Sequence, residues 1–164
     1  MILPLHPPHR YKRDIVSIAT QVRDRQQQVW GVEYDTYDRM TEARFYERQT
    51  ASSQATLRNY YSENLTYDKR GNIKTLKRNG LYLVAQNAYH SGEIDDLNYL
   101  YTHQAHPNEK SNRLGRVHDY SNNAQGYNDR HHTGAYSYDD NGNTVIDHSP
   151  KVQVIYNHLD LAMR

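Results

Sequence analysis

The chain has 164 residues, 20 basic and 19 acidic side chains and a formal net charge of +1. That length suits one ordinary domain or part of a larger protein, and the charge balance excludes the broad basic surface typical of proteins that bind DNA, RNA or anionic lipid. The absence of cysteine excludes disulfides, a thiolate nucleophile and thiolate metal ligands.

The apolar composition favours a sheet with modest burial. Leu, Ile, Val and Phe make up less than a fifth of the chain, whereas 16 residues are tyrosine. Because tyrosine joins a large apolar ring to a polar hydroxyl and favours strands, it suits a half-wet sheet surface. We therefore predict an extended sheet and not a thick compact core.

The N-terminal segment, residues 1–14, is predicted to be irregular because prolines interrupt its short apolar stretch. Basic residues follow that stretch, which is the reverse of the order in a secretory signal, so we expect no signal peptide in this segment. No apolar run approaches the roughly 18–20 residues that span a bilayer, so we expect no membrane insertion. Strands are predicted at Ile15–Val22 and Val29–Tyr34, joined by a long polar turn. A helix over Ser17–Gln28 is the less favoured alternative, since it lacks an apolar stripe.

Tyr-Asp pairs recur along the chain. They begin at Tyr34, Tyr67 and Tyr138, and Tyr101 stands at a similar spacing with threonine in place of aspartate. The intervals are 33, 34 and 37 residues. Recurrence at a fixed spacing is the sequence signature of a repeat architecture. Tyr156 follows near half the long spacing.

Each unit is typical of a β-hairpin. Leu65-Thr66-Tyr67 alternates apolar and polar residues, DKRGN over 68–72 is a turn, and Ile73–Leu76 alternates again. Asn141-Gly142 is a strong hairpin signal, because Gly supplies a positive φ without steric cost. Asp38 stands where the other turns have glycine, and aspartate tolerates that conformation better than most residues.

Further segments complete the secondary-structure prediction. Strands are expected at Leu81–Ala85, Asn98–Tyr101, 113–117 and Lys151–Tyr156. Residues 50–60 are predicted to form a turn of helix or a loop, and residues 119–134 a loop. The predicted fold class is all-β: over residues 15–164, consecutive antiparallel β-hairpins form one extended, twisted and curved sheet.

This pattern resembles the YD repeats of the RHS family. YDTYDRM, YDKRGNI and YDDNGNTV carry the resemblance, which covers the chain from about Gln21 to its C-terminus. QVWGVEYDTYDRMTEARFYE and YSYDDNGNTVIDHSPKVQVIYNHLDL are similar to RHS proteins of Bacteroidetes-type bacteria. The family's hairpins form a long sheet that spirals into a hollow shell, and the shell can enclose a C-terminal toxin or effector. Some members present a carbohydrate-binding or adhesive surface instead.

The resemblance implies a non-catalytic segment of a bacterial repeat shell that is secreted or on the cell surface. Its expected partners are flanking RHS repeats and a C-terminal effector or toxin of a longer protein, and glycans remain an alternative. The family's core segment carries an Asp-Pro-Gly-like element, and this chain contains no Asp-Pro pair. We therefore expect a piece of the shell without its effector or its self-cleavage element.

Several polar groups could suggest chemistry, but none has the required pattern. The histidine pairs lack the three or four convergent ligands of a zinc site; they are His103 with His106, and His131 with His132. The aspartate pairs Asp95-Asp96 and Asp139-Asp140 lack the glycine and glutamate positions of a calcium loop and favour a role in capping backbone N–H groups. We predict no catalytic, cofactor-binding or metal-binding residues and no enzyme activity.

Two surface features have alternative interpretations. A basic patch could contact nucleic acid, but the neutral chain favours a solvated face; it comprises Lys69, Arg70, Lys74, Lys77 and Arg78. Exposed tyrosines could stack on sugars. For the repeated tyrosines we favour packing between neighbouring hairpins, each ring covering the next, because a stacking repeat requires recurrence at one position.

Overall fold

The computed structural model describes residues 17–22, 26–50, 52–86, 88–101, 111–127, 135–147 and 152–163. Its described residues form twelve strands and no helix. The strands are β1 Ser17–Val22, β2 Gln26–Tyr34, β3 Met40–Arg48, β4 Thr56–Tyr67, β5 Ile73–Ala85, β6 Ala88–Tyr101, β7 Leu114–Asp119, β8 Ser137–Tyr138, β9 Thr144–Asp147, β10 Val152–Gln153, β11 Ile155–Tyr156 and β12 Ala162–Met163. The predicted all-β class is confirmed.

Strands β1 to β7 form one open antiparallel sheet in which every strand pairs with its neighbours in sequence. Two smaller sheets follow, β8–β9–β10 and β11–β12. Backbone hydrogen bonds connect these parts: the N–H of Tyr136 donates to the carbonyl of Gly115, and that of Val154 to the carbonyl of Val145, both at 2.9 Å. Consecutive hairpins therefore follow one another along the chain, as predicted, but the described strands form three sheets and not the single sheet expected.

The core is thin and lies mainly along one face of the large sheet, with Val29 on the other face. Phe45 is fully buried and contacts the rings of Trp30, Tyr60 and Tyr61, with centroid distances of 4.8, 6.2 and 5.4 Å. Leu65, Leu97 and Val117 are buried farther along the sheet. The scarcity of aliphatic residues thus has the predicted result, a sheet with modest burial that relies on aromatic rings.

Most strand predictions are confirmed, and several strands are longer than expected. The single strand predicted at Lys151–Tyr156 is wrong: its described residues form β10 and β11, which belong to different sheets. β2 begins at Gln26, so the polar tract before Val29 belongs to the strand, and the connection at 23–25 lies outside the described residues. The segments predicted around Ile73 and at Leu81–Ala85 form one continuous β5, which a bulge interrupts at Arg78 and Asn79. The loop prediction is confirmed for residues 120–127.

The prediction of a turn of helix or a loop over residues 50–60 is wrong for residues 56–60. Thr56, Leu57 and Arg58 pair with β3, opposite Glu47, Tyr46 and Phe45 respectively. Pairing with a strand already in place outweighs local propensity, which is a weak determinant by itself. β4 then bulges through Tyr61, which adopts a φ of 52°.

Two further predictions concern the N-terminal segment and the absence of a membrane-spanning stretch. Residues 1–14 lie outside the described residues. The residues that the structure describes include no helix long and apolar enough to cross a bilayer.

Candidate functional site

Four turns of the chain share one backbone geometry, and we call them the repeat turns: residues 35–39, 68–72, 139–143 and 157–161. In each, the N–H of the first residue donates to the carbonyl of the fifth, at 2.9, 2.9, 3.0 and 3.0 Å in chain order. The N–H of the fourth residue donates to the carbonyl of the first, at 3.1, 3.2, 3.1 and 3.0 Å. This is the three-residue hairpin loop in which a tight turn precedes a left-handed residue.

The first side chain of each repeat turn caps the turn's own backbone. In the second turn, Oδ1 of Asp68 accepts the N–H groups of Arg70 and Asn72 at 2.8 and 2.9 Å, and Oδ2 accepts the Asn72 amide at 3.0 Å. In the fourth turn, Oδ1 of Asn157 accepts the N–H groups of Leu159 and Leu161 at 2.9 and 3.1 Å. In the third turn, Oδ1 of Asp139 accepts the N–H of Asn143 at 2.8 Å, so the capping role predicted for Asp139 is confirmed.

The fourth residue of each repeat turn has a positive φ. Gly71 and Gly142 have φ values of 91° and 93°, while Asp38 and Asp160 have values of 62° and 58°. The prediction for Asp38 is confirmed. The aspartates stay near the narrow left-handed region that residues with a Cβ can adopt, whereas the glycines lie beyond it. The turn at 157–161 was missed from the sequence, although its Tyr-Asn pair and Asp160 supply the same signal.

The tyrosine before a repeat turn reaches the preceding hairpin. The Tyr67 hydroxyl donates to the carbonyl of Met40, the first residue of β3, at 2.6 Å. The Tyr156 hydroxyl donates in the same way to the carbonyl of Thr144, the first residue of β9, at 3.1 Å. Each bond runs from the last residue of one strand to the first residue of a strand in the preceding hairpin. The bonds therefore fix the position of each hairpin against the one before it.

Tyr138 makes the same hydroxyl contact, and its ring also lies close to an arginine guanidinium. Its hydroxyl donates to the carbonyl of Leu114, the first residue of β7, at 2.8 Å, and the guanidinium of Arg113 lies 5.5 Å from its ring centroid. At Tyr67 the guanidinium of Arg39 lies 4.6 Å from the ring centroid. The predicted packing between hairpins is confirmed for these two tyrosines, with a guanidinium over each ring. The sequence prediction did not include either arginine.

Polar contacts also join the turns directly. Nη1 of Arg39 donates to the carbonyl of Asp68 at 3.0 Å, which joins the first turn to the second. The Asn72 amide donates to the side-chain oxygen of Asn112 at 3.0 Å, near the end of the β6–β7 connection. The Asn143 amide donates to Oδ1 of Asp160 at 3.0 Å, which joins the third turn to the fourth. The first turn is thus joined to the second and the third to the fourth, while the second also contacts Asn112; we call the four turns together the turn row.

Protonation states support a structural role for these groups. Burial raises the pKa of the Tyr67, Tyr101 and Tyr138 hydroxyls, so they remain neutral donors near pH 7. A hydrogen bond from the Arg39 side chain lowers the pKa of Asp35, and one from the Asn143 amide lowers that of Asp139. These carboxylates are therefore ionised acceptors, and none of the groups is tuned toward proton transfer near neutral pH.

Two buried aspartates, Asp95 and Asp119, hold the loop 120–127 against β6, and we call this arrangement the clasp. Only Asp95 belongs to an aspartate pair considered from the sequence. Asp95 is fully buried and accepts Nε of Arg78 at 2.6 Å and the backbone N–H of Tyr127 at 2.5 Å. A Cβ added at Gly126 would overlap the carbonyl oxygen of Ile94. The loop 120–127 therefore packs directly on β6, and Asp95 has its partners within the protein.

The second member of the clasp is Asp119, at the end of β7. Its Oδ1 accepts the backbone N–H groups of Asp96 and Ser121 at 3.0 and 2.9 Å, and its Oδ2 accepts the Ser121 hydroxyl at 2.9 Å. Asp96 in turn pairs with Lys77 at 2.9 Å. Of the predicted pair, Asp95 caps a backbone N–H as predicted, whereas Asp96 pairs with a lysine, which was not predicted.

The other sequence candidates have no common site. Lys77 and Arg78 of the predicted basic patch are paired with acidic residues of β6, while Lys69 and Lys74 are exposed. All four candidate histidines of the two pairs lie outside the described residues. Among the residues that the structure describes, no three His, Asp or Glu side chains come together as a potential metal site.

An open depression of about 490 Å³ lies between the first two repeat turns. Tyr37, Arg39, Tyr67 and Arg70 contribute to its lining. Tyr37 is 77% exposed, and the Arg39 guanidinium lies 5.1 Å from its ring centroid. This is the most exposed aromatic surface of the turn row and the best position for a stacking ligand.

Comparison with known proteins does not assign a family. No protein family model matches the chain, and no curated protein has significant sequence similarity to it.

Proposed function

We propose that this chain is a non-catalytic segment of a bacterial RHS-type repeat shell that encloses or presents a toxin or effector. The observation that carries the proposal is the turn row, in which tyrosine hydroxyls of Tyr67, Tyr138 and Tyr156 each bond to the preceding hairpin. A shell of this kind needs a contact that every hairpin can repeat with its neighbour.

The polar chemistry of the chain supports a structural role. The buried Asp95 is satisfied by Arg78 and a backbone N–H, and the turn aspartates are satisfied by their own turns. An active site instead needs polar groups that converge on a space for substrate and have perturbed pKa values suited to proton transfer or attack. The partners proposed here are flanking repeats and a downstream effector, in a secreted or cell-surface protein.

The proposal is tested in the protein encoded by the complete reading frame. We expect hairpin repeats on both sides of this segment and a downstream region that resists protease in the native protein. Tyr67→Ala should expose that region, because it removes both the hydroxyl bond to Met40 and the ring under Arg39. Tyr37→Ala is the matched control, since Tyr37 is largely exposed.

Two outcomes would contradict the shell proposal. One is a reading frame without further hairpin repeats on either side. The other is a downstream region that protease digests equally fast in the native protein and in Tyr67→Ala.

A glycan-binding or adhesive surface is the second candidate function, and it rests on the exposed ring of Tyr37 beside Arg39. Aromatic rings stack on sugar faces, and a guanidinium can donate to sugar oxygens. Binding on a glycan array that Tyr37→Ala abolishes would support this function. Binding that survives this substitution, or no binding to any glycan, would count against this surface.

A further inference from the structure

The hairpin of β5 and β6 projects beyond its neighbours in the sheet. β4 pairs with β5 only as far as Arg78, and β7 pairs with β6 only as far as Leu97. Residues 80–92 therefore form a two-stranded segment, which we call the ribbon; residue 87 at its tip is outside the described residues. In the described part of the chain, no other strand pairs with either edge of the ribbon.

One face of the ribbon is covered by its own side chains. Gly80 and Gly92 lie opposite each other across the ladder. A Cβ added at Gly80 would be 2.6 Å from Cδ1 of Ile94, and one added at Gly92 would be 3.4 Å from the Tyr82 hydroxyl oxygen. The Ile94 and Tyr82 side chains thus occupy the space above the two glycines.

The other face is apolar and open. Leu83 lies opposite Tyr89, and Leu81 follows on the same side of the strand. Their exposed fractions are 53%, 63% and 38%. Ser91, opposite Leu81, is the polar residue on this face. Neighbouring exposed apolar side chains of this kind make a candidate interaction surface.

The ribbon also lacks charge. Residues 80–92 contain no Asp, Glu, Lys or Arg, although 24% of the chain is charged. Natural edge strands are usually protected from pairing by charged residues, proline or bulges. The ribbon has no charged residue and no proline, and its ladder has one irregularity, between Leu83 and Ala85. The sequence LYLVA at Leu81–Ala85 combines high strand propensity with high hydrophobicity and no charge, which is the composition that pairs with identical segments.

We propose that the ribbon associates with the ribbon of a second copy of this chain. A two-fold arrangement packs the open faces around Leu83 and Tyr89 against each other. A neutral surface does not repel its own copy, whereas a partner with charged residues would have to bury them unpaired. This inference is independent of the shell proposal, because it requires only the ribbon.

The test compares two exposed leucines of the same hairpin. Leu83 lies in the ribbon, and Leu100 lies at the opposite end of β6 with a nearly equal exposed fraction of 49%. Sedimentation equilibrium of the 164-residue chain should show reversible, concentration-dependent dimers. Leu83→Lys should weaken the dimer by at least about tenfold, which is 1.4 kcal/mol, while Leu100→Lys should not. Circular dichroism verifies that both variants keep their strands.

Cross-linking gives a second measurement, because the chain has no cysteine. Under mild oxidation, Leu83→Cys should form a disulfide-linked dimer, and Leu100→Cys should remain monomeric. Native chains that stay monomeric at all concentrations would overturn the proposal. So would dimers that Leu83→Lys and Leu100→Lys weaken equally, or cross-linking that is equal at the two positions.

Discussion

Gly71→Ala isolates the energetic cost of the repeat-turn geometry. Gly71 has a φ of 91°, and a Cβ added there would have no atom within 4 Å. The substitution therefore introduces no clash, and its cost is purely conformational. To accommodate alanine, the turn must move toward the φ of 62° that Asp38 shows in the first turn.

The expected magnitude follows from two opposing terms. A residue with a Cβ pays roughly 1–2 kcal/mol to adopt the left-handed conformation. Replacing glycine also restricts the unfolded chain, which returns about 0.4–1 kcal/mol. We expect a net loss near 1 kcal/mol in the free energy of unfolding, which lowers the urea midpoint by about 0.3–1 M.

The assay is urea unfolding followed by circular dichroism and by the fluorescence of the single tryptophan, Trp30. Gly31→Ala is the matched control, since Gly31 has no positive φ and its added Cβ would lie 3.4 Å from a ring carbon of Tyr46, an ordinary contact. Asp38→Gly is the reverse change and should stabilise the chain. If Gly71→Ala were as stable as the native chain, or if Gly31→Ala lost as much, the argument from φ would be refuted.

Three further predictions concern the loop that packs on β6, the Tyr67 hydroxyl and the dependence of stability on pH. Gly126→Ala should lose more stability than Gly71→Ala or Gly31→Ala, because its Cβ overlaps the carbonyl oxygen of Ile94; thermal unfolding would measure the loss, and a native-like midpoint would contradict the geometry. Tyr67→Phe should lose about 1 kcal/mol and speed amide exchange at the start of β3, because the carbonyl of Met40 loses its donor; unchanged exchange there would refute the role of the hydroxyl. The lowered pKa of Asp139 stabilises the fold above its ordinary value of 3.8, and this contribution is lost as pH falls through the lowered pKa. Asp139→Asn should therefore weaken the dependence of stability on acid pH below about 4, and an unaltered acid titration would argue against this assignment.

The fourth repeat turn gives a physical reason to expect that Asp139→Asn still folds. Asn157 already occupies the equivalent position and accepts two backbone N–H groups through its side-chain oxygen. An amide oxygen is therefore sufficient to accept the backbone N–H groups of the turn. The negative charge is lost, and so is the bond that Oδ2 accepts from the Asn143 amide at 3.0 Å.

Local patterns predicted the hairpins well because their determinants are close in sequence. The alternation in Leu65-Thr66-Tyr67 and the glycine at position 71 specify strand and turn within a few residues. Even the aspartate at position 38 could be assigned a left-handed conformation from its place in the turn. The error at residues 56–60 arose where local propensity is weak and pairing with β3 decides the structure.

Contacts between hairpins were less predictable. The placement of Arg39 over Tyr67 joins residues 28 positions apart, and the Arg78–Asp95 pair depends on the register of β5 against β6. The sequence supplied the residue types, but not which guanidinium would meet which ring or carboxylate. The open face of the ribbon likewise follows from where β4 and β7 stop pairing.

The sequence by itself determined that this protein is built of Tyr-Asp hairpins with capped turns, since those features depend on residues within one turn of each other. The tertiary structure decided how the hairpins contact one another: tyrosine hydroxyls donate to carbonyls of the preceding hairpin, and the buried Asp95 binds the loop after β7. It also decided that the apolar face around Leu83 is exposed. The difference is physical, because strand register and bulges fix long-range side-chain positions, and a shift of one residue turns every side chain to the opposite face.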